Sequence, residues 1–120
     1  MEIGTGGVSL FALLICLAAG MKAIVTSSSD EKLEKLKKLG DVQGVNYKTH
    51  PDVAAEVLRL TNGQGVDYVV NNVGLQSLPE DFKMLRRWGT ISLVGFLAGF
   101  DAGFSGNELW PILLKNAKIQ

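Results

Sequence analysis

Apolar and polar positions change period several times along the chain, and the changes mark its elements. Residues 8–19 are almost continuously apolar and predict a buried helix that Gly20 ends. Residues 22–26, with Ile24 and Val25 at their centre, predict a short buried strand before Ser27-Ser28-Ser29. Ser28 or Ser29 caps the next helix, and Ser28-x-x-Glu31 has the form of a capping box. Beyond it Leu33, Leu36 and Leu39 form an apolar stripe opposite Glu34, Lys35, Lys37 and Lys38, up to Gly40. Residues 44–47 predict a third strand, and Pro51 opens a helix through Val53, Val57, Leu58 and Leu60. After the loop Asn62-Gly63-Gln64-Gly65 come a strand over 66–70 and Asn71-Asn72. A helix over 79–87 follows, with Phe82 and Leu85 inward, then a strand over 90–94. Glu2-Ile3 reads as the end of a first strand cut to a stub. Residues 108–115 predict a helix, and Lys118-Ile119 the start of another strand.

Strands that alternate with helices at this spacing predict a parallel sheet, because each parallel crossover needs a dozen or more residues and usually a helix. The strands are short and apolar throughout, as burial on both faces requires. The expected fold is α/β, a doubly wound parallel sheet over residues 1–120 as one domain.

Composition narrows the function. The chain has 120 residues, 47% of them apolar, with 12 Lys+Arg against 12 Asp+Glu. That size supports one core and leaves no room for a second domain. Zero net charge gives no general attraction for nucleic acid or an anionic membrane. One Cys, Cys16, permits no internal disulfide. With one His, His50, it cannot form the usual Cys/His zinc site, so no metal is expected. Cys16 lies among apolar residues and reads as an inert buried thiol in a reducing, cytoplasmic compartment. The 8–19 segment lacks the basic flank of a signal peptide and falls short of the about 20 residues that span a bilayer.

Gly4-x-Gly6-x-x-Ser9 stands between a strand end and a helix start, the context in which such spacing carries chemistry. Gly4 permits the tight turn, and Gly6 removes the side chain that would keep a diphosphate from the backbone. The small third residue, here Ser9 in place of glycine, lets helix and strand pack closely. Free amides at the helix start then face the phosphates. A ribose-binding acid is normally found about 20 residues on; Thr26-Ser27-Ser28 stand there instead. Without that carboxylate a 2'-phosphate is not repelled, and Ser27, Ser28, Lys32 and Lys48 offer donors and positive charge. This predicts NADP(H) in preference to NAD(H). The bland alternative is that the serines cap the following helix and Lys32 is merely solvated.

The run GTGGVSLFAL, then AAG, TSSSDEKLEKLKKLG, VNYK, GVDYVV and GTISLVG, in that order, resembles the nucleotide-binding domain of the medium-chain dehydrogenase/reductase family, the zinc-type alcohol dehydrogenases and quinone oxidoreductases. The resemblance covers nearly the whole chain and implies a Rossmann-like fold. It implies that Gly6, Gly7 and Val8 lie against the pyrophosphate, and that Ser27, Ser28, Lys32 and Tyr47 surround the adenosine ribose and its phosphate. It further implies that Asn72, Val73, Gly95, Phe96 and Leu97 line the nicotinamide side. Packing is the alternative role for Tyr47, and core or partner-facing surface the alternative for Phe96, Phe100 and Phe104. Asn71 and Asn72 equally suit capping of a turn, and Trp88 and Trp110 read as packing.

The family's catalytic GroES-like domain, with its zinc where there is one, has no counterpart in this sequence. Hydride transfer by this stretch alone is therefore not expected, since positioning of substrate is a large part of the chemistry. No catalytic residue is assigned. The expected function is dinucleotide binding in an oxidoreductase of carbonyl, alcohol, quinone or enone substrates. The alternative is a non-catalytic binding module, associating with itself or a partner through apolar surface. A short-chain dehydrogenase, hinted at by Asn71-Asn72-Val73-Gly74, needs a later Tyr-x-x-x-Lys pair, and no tyrosine follows Tyr68. A methyltransferase shares the Gly-rich turn but lacks a ribose-binding acid here.

Overall fold

The structure is a computed structural model that describes residues 2–3, 7–95 and 114–120. Its described strands are β1 (Glu2–Ile3), β2 (Ala23–Ser27), β3 (Val42–Asn46), β4 (Val66–Asn71), β5 (Leu85–Leu93) and β6 (Lys118–Ile119). They form one sheet in the order β3-β2-β1-β4-β5-β6, parallel at every pairing. Helices α1 (Gly7–Ala18), α2 (Asp30–Lys37), α3 (Val53–Leu60) and α4 (Leu78–Met84) fill the crossovers, with a single 3-10 turn at Leu75–Ser77 before α4.

All five residues of β2 are buried, and they alternate between two cores. Ala23 and Val25 pack with Leu13 of α1 and Leu33 of α2, whereas Ile24 packs with Val45, Ala54, Val57 and Met84 on the side of α3 and α4. Period-two alternation thus puts two helices on each face, the doubly wound arrangement expected. A further cluster of Val69, Leu78, Phe82, Leu85 and Ile91 fills the space under α4. Each large apolar side chain buried there contributes on the order of 1.5–3 kcal/mol.

Four expectations need correction. First, α1 is not buried all round: Leu13 is covered, but Phe11 is 70% exposed and Ile15 64%, with Leu14 and Leu10 also open. The chain covers only the sheet-facing side of this helix, and Cys16 is half-buried. Second, Leu39 lies beyond the end of α2 and is exposed; of the two candidate caps it is Ser29 that serves, its side chain accepting from the Lys32 amide. Third, α4 stops at Met84 instead of Arg87. Burial of Leu85 begins β5 early, and residues 86–89 loop out opposite Asp67, between the pairs Val66–Leu85 and Tyr68–Thr90. The Lys115 ammonium closes that junction by donating to the Phe82 and Leu85 carbonyls, serving helix-end acceptors left without partners. Fourth, Trp88 is no packing residue: it is 76% exposed at φ +65° in the looped-out segment. Trp110, Phe100 and Phe104 lie outside the described residues.

Candidate functional site

In an open parallel sheet, ligands lie beyond the carboxyl ends of the strands where the strand order reverses. Here β1 is that point, pairing with β2 on one side and β4 on the other. α1 begins at Gly7, four residues after β1 ends, so its free amides face this edge. Gly4 and Gly6 lie outside the described residues, as do Phe96 and Leu97, and for Gly7 and Val8 only the helical backbone is described.

Ser9, in the first turn of α1, is buried and accepts a hydrogen bond from Asn72 Nδ2 at 3.1 Å. Gly95 closes on the same group. A Cβ there would stand 3.1 Å from both the Asn72 carbonyl oxygen and its Oδ1. The third small position of the glycine motif, the first residue after β4 and the second residue after β5 therefore meet. Asn72 is 8% exposed and its amide is committed to Ser9, with half-buried Val73 beside it.

A second group gathers at the ends of β2 and β3. The Tyr47 amide donates to the Ser27 carbonyl at 3.1 Å, and buried Ser27 Oγ accepts from the Ser29 amide at 3.2 Å. Ser28, Lys32, Tyr47 and Lys48 are exposed around it. Ser27 and Tyr47 are thus neighbours, with Ser27 turning its hydroxyl into the turn, and Lys32 reaches this corner through its amide, which donates to Ser29 Oγ at 3.3 Å. One carboxylate escaped the sequence reading. Asp30, at the first position of α2, accepts from Asn46 Nδ2 at 2.9 Å, while Asn46 Oδ1 accepts from the Lys48 amide at 2.9 Å. An Asp in a first helical turn reads as a dipole partner, and nothing in the sequence tied it to Asn46 16 residues on.

Beneath the Asn72 loop lies a polar cluster that sequence reading also missed. Asn71 Nδ2 donates to Asp81 Oδ2 at 2.5 Å and to Ser77 Oγ at 2.7 Å, and Asn71 Oδ1 accepts from the Gly74 amide at 2.8 Å. Asp81 is fully buried, and its Oδ1 has no hydrogen-bond partner. Burial pushes its carboxyl up from the ordinary 3.8 to about 7, against the opposing pull of the Asn71 and Ser77 hydrogen bonds. The only available signal was an acidic residue one position before Phe82 on the inward side of α4.

Among the described residues no three His, Cys, Asp or Glu side chains lie together as metal ligands. Cys16 sits within α1 and His50 beyond β3, where its ring meets Thr49. This donor set does not fit a zinc ion. No described helix is long and apolar enough to cross a membrane.

The sequence family described as zinc-binding dehydrogenase matches residues 7–120. A zinc-type alcohol dehydrogenase-like protein of Schizosaccharomyces pombe is 50% identical over 123 residues, covering all of this chain and 35% of that protein. A solved NAD-dependent alcohol dehydrogenase superposes with a TM-score of 0.83 at 32% identity, over 98% of this chain and 34% of its own. The quinone oxidoreductase of Escherichia coli complexed with NADPH superposes with a TM-score of 0.82 at 26% identity, over 99% of this chain and 36% of its own. The chain therefore spans about a third of the length of these relatives.

Proposed function

The chain belongs to the zinc-binding dehydrogenase family, the medium-chain dehydrogenases and reductases, and from that premise we propose that it is the dinucleotide-binding domain of an oxidoreductase, taking NADP(H) in preference to NAD(H). The observation that carries the reading is the reversal of strand order at β1, with α1 opening directly beyond it. Parallel sheets have one edge at which helix amino termini and strand carboxyl ends converge, and in sequence the glycine motif falls between the end of β1 and the start of α1.

In this reading Gly4 and Gly6 leave the turn free of side chains, and the backbone of Gly7 and Val8 binds the diphosphate. Ser28 and Lys32 hold a 2'-phosphate beside Tyr47, with Ser27 shaping the turn beneath. Lys32 supplies the charge and Ser28 a hydroxyl donor. Asn72, Val73, Gly95, Phe96 and Leu97 border the nicotinamide side. A bound nicotinamide supplies or accepts the hydride, and these residues orient it and shield one face. The substrate, a carbonyl, alcohol, quinone or enone, is held by groups beyond this domain. No zinc step is assigned to this chain, because its described donors do not form a site.

Calorimetric titration of the chain with NADPH and NADH tests the reading. NADPH binding at least about tenfold tighter than NADH, a difference of about 1.4 kcal/mol, is the expected result. Equal or reversed affinities overturn the phosphate preference, and binding of neither overturns the domain assignment. The open side of α1, with Phe11, Leu14 and Ile15 exposed, favours a companion reading in which this chain binds nucleotide and associates through that side without turnover of its own. Hydride transfer by the isolated chain would refute that.

A further inference from the structure

The reading above leaves Asp81 without a role, although it is the fully buried acid of α4 and one of its oxygens meets no donor. We propose that Asp81 is a positioning residue for the dinucleotide edge: acting as a neutral acid through Asn71 and Ser77, it holds the loop from Asn72 to Leu75 in its binding conformation. The proposal rests on the dinucleotide-binding reading and adds a regulation to it.

The geometry forms a chain of contacts from helix to loop. Asp81 Oδ2 receives Asn71 Nδ2 at 2.5 Å and lies 3.4 Å from Ser77 Oγ. Asn71 holds the loop by accepting from the Gly74 amide at 2.8 Å, while its Nδ2, whose two hydrogens go to Asp81 and Ser77, lies 3.2 Å from the Gly74 carbonyl. Ser77 Oγ shares its one hydrogen between that carbonyl at 3.2 Å and Asp81 Oδ2 at 3.4 Å. Gly74 itself sits at φ +118°, a conformation without intrinsic preference for any L side chain, so these bonds must hold it. The loop so held carries Asn72, whose amide reaches Ser9, and the Asn71 carbonyl accepts from the Val94 amide at 2.9 Å, next to Gly95. Asp81 is therefore one hydrogen bond from Asn71, the chain neighbour of Asn72, and two from Val94, the chain neighbour of Gly95.

The surroundings favour the neutral form. A buried carboxylate is stable only when its oxygens are paired with donors or a cation, and Asp81 Oδ1 meets no donor. The chain's amino-terminal charge favours the ionised form of Asp81, Glu80 on α4, itself paired with Lys83, opposes it, and desolvation outweighs both. Glu56 and Arg59 on α3 pair with each other, Asp67 on β4 pairs with Arg86 on β5, and Lys115 is bound to carbonyls at the far end of α4. With burial setting the carboxyl at about 7, ionisation falls within the physiological range. The charged form must then draw water or a donor into the cluster, at the expense of the loop.

The test measures NADPH affinity of the chain and of Asp81→Asn at pH 6 and pH 8.5, with hydrogen exchange at the Gly74 and Ser77 amides corrected for intrinsic rates. Wild-type affinity is expected to weaken about tenfold more across this range than that of Asp81→Asn, which keeps a neutral polar group in place. Protection at the two amides falls with pH in the wild type only. Asp81→Ala lowers protection at both pH values. Parallel pH profiles for wild type and Asp81→Asn, in affinity and in exchange, overturn the proposal. If the wild type binds no dinucleotide at any pH, the domain assignment fails, and the exchange comparison still decides the role of Asp81.

Discussion

Asn72 Nδ2 donates to Ser9 Oγ at 3.1 Å, across 63 residues of sequence, with both groups buried. The bond joins the first turn of α1 to the end of β4, so the two halves of the proposed cofactor edge are held by one contact. Ser9→Ala removes the acceptor and leaves a buried amide unpaired, which costs about 1–3 kcal/mol. Urea denaturation is expected to show that loss, together with weaker NADPH binding. An unchanged midpoint with unchanged affinity would mean the contact is dispensable.

Asp81 makes stability depend on pH in an unusual direction. Its folded value, about 7, lies above the ordinary 3.8, so between these values the folded chain keeps a proton that the unfolded chain has released. Its stabilising contribution is full below about pH 4, declines as pH rises toward 7 and is absent above it, an amount on the order of 4 kcal/mol. Asp81→Asn is expected to be more stable than the wild type at pH 8 and to lose this slope. Denaturation curves of both proteins at pH 5 and pH 8 check it; equal slopes would show that Asp81 ionises freely in the fold.

Trp88 holds φ at +65° with its side chain 76% exposed, so the indole gains little burial for a strained backbone. Trp88→Gly is expected to raise stability by about 1 kcal/mol, read as a higher melting temperature. The neighbouring Gly89→Ala should do the reverse, because its Cβ would stand 2.5 Å from Leu85 side-chain carbons and 2.8 Å from the Arg86 carbonyl oxygen. A destabilised Trp88→Gly would show that the indole packs usefully.

Lys32 is exposed in the first turn of α2, its amide on the Ser29 cap, and in the proposed function its charge is assigned to the 2'-phosphate. Lys32→Glu is expected to weaken NADPH about tenfold or more, by 1.4 kcal/mol or more, with NADH affected less than about twofold. Equal losses for both nucleotides would place Lys32 outside the phosphate site and leave it a solvated side chain.

The parallel architecture was legible because burial on both faces writes continuous apolar runs, and β2 is such a run, alternating between two cores. Helix ends were less legible. Ser28 and Ser29 are equivalent as sequence, and the choice of Ser29 as cap depends on how Ser27 Oγ and the Ser29 amide settle in the turn. The end of α4 is set by Leu85 and Lys115, a contact 30 residues apart that no local pattern announces.

By itself the amino-acid sequence determined the order of strands and helices, the glycine motif before the first helix and the lack of an acid at residues 26–28, because each is a matter of local spacing and residue type. Tertiary structure alone decided that Asn72 serves Ser9, that Asp30 serves Asn46, that Asp81 is buried without a full set of partners, and that one side of α1 remains open. The physical reason is that hydrogen-bond satisfaction and burial depend on which groups a fold brings together from distant positions, and periodicity carries no record of those meetings.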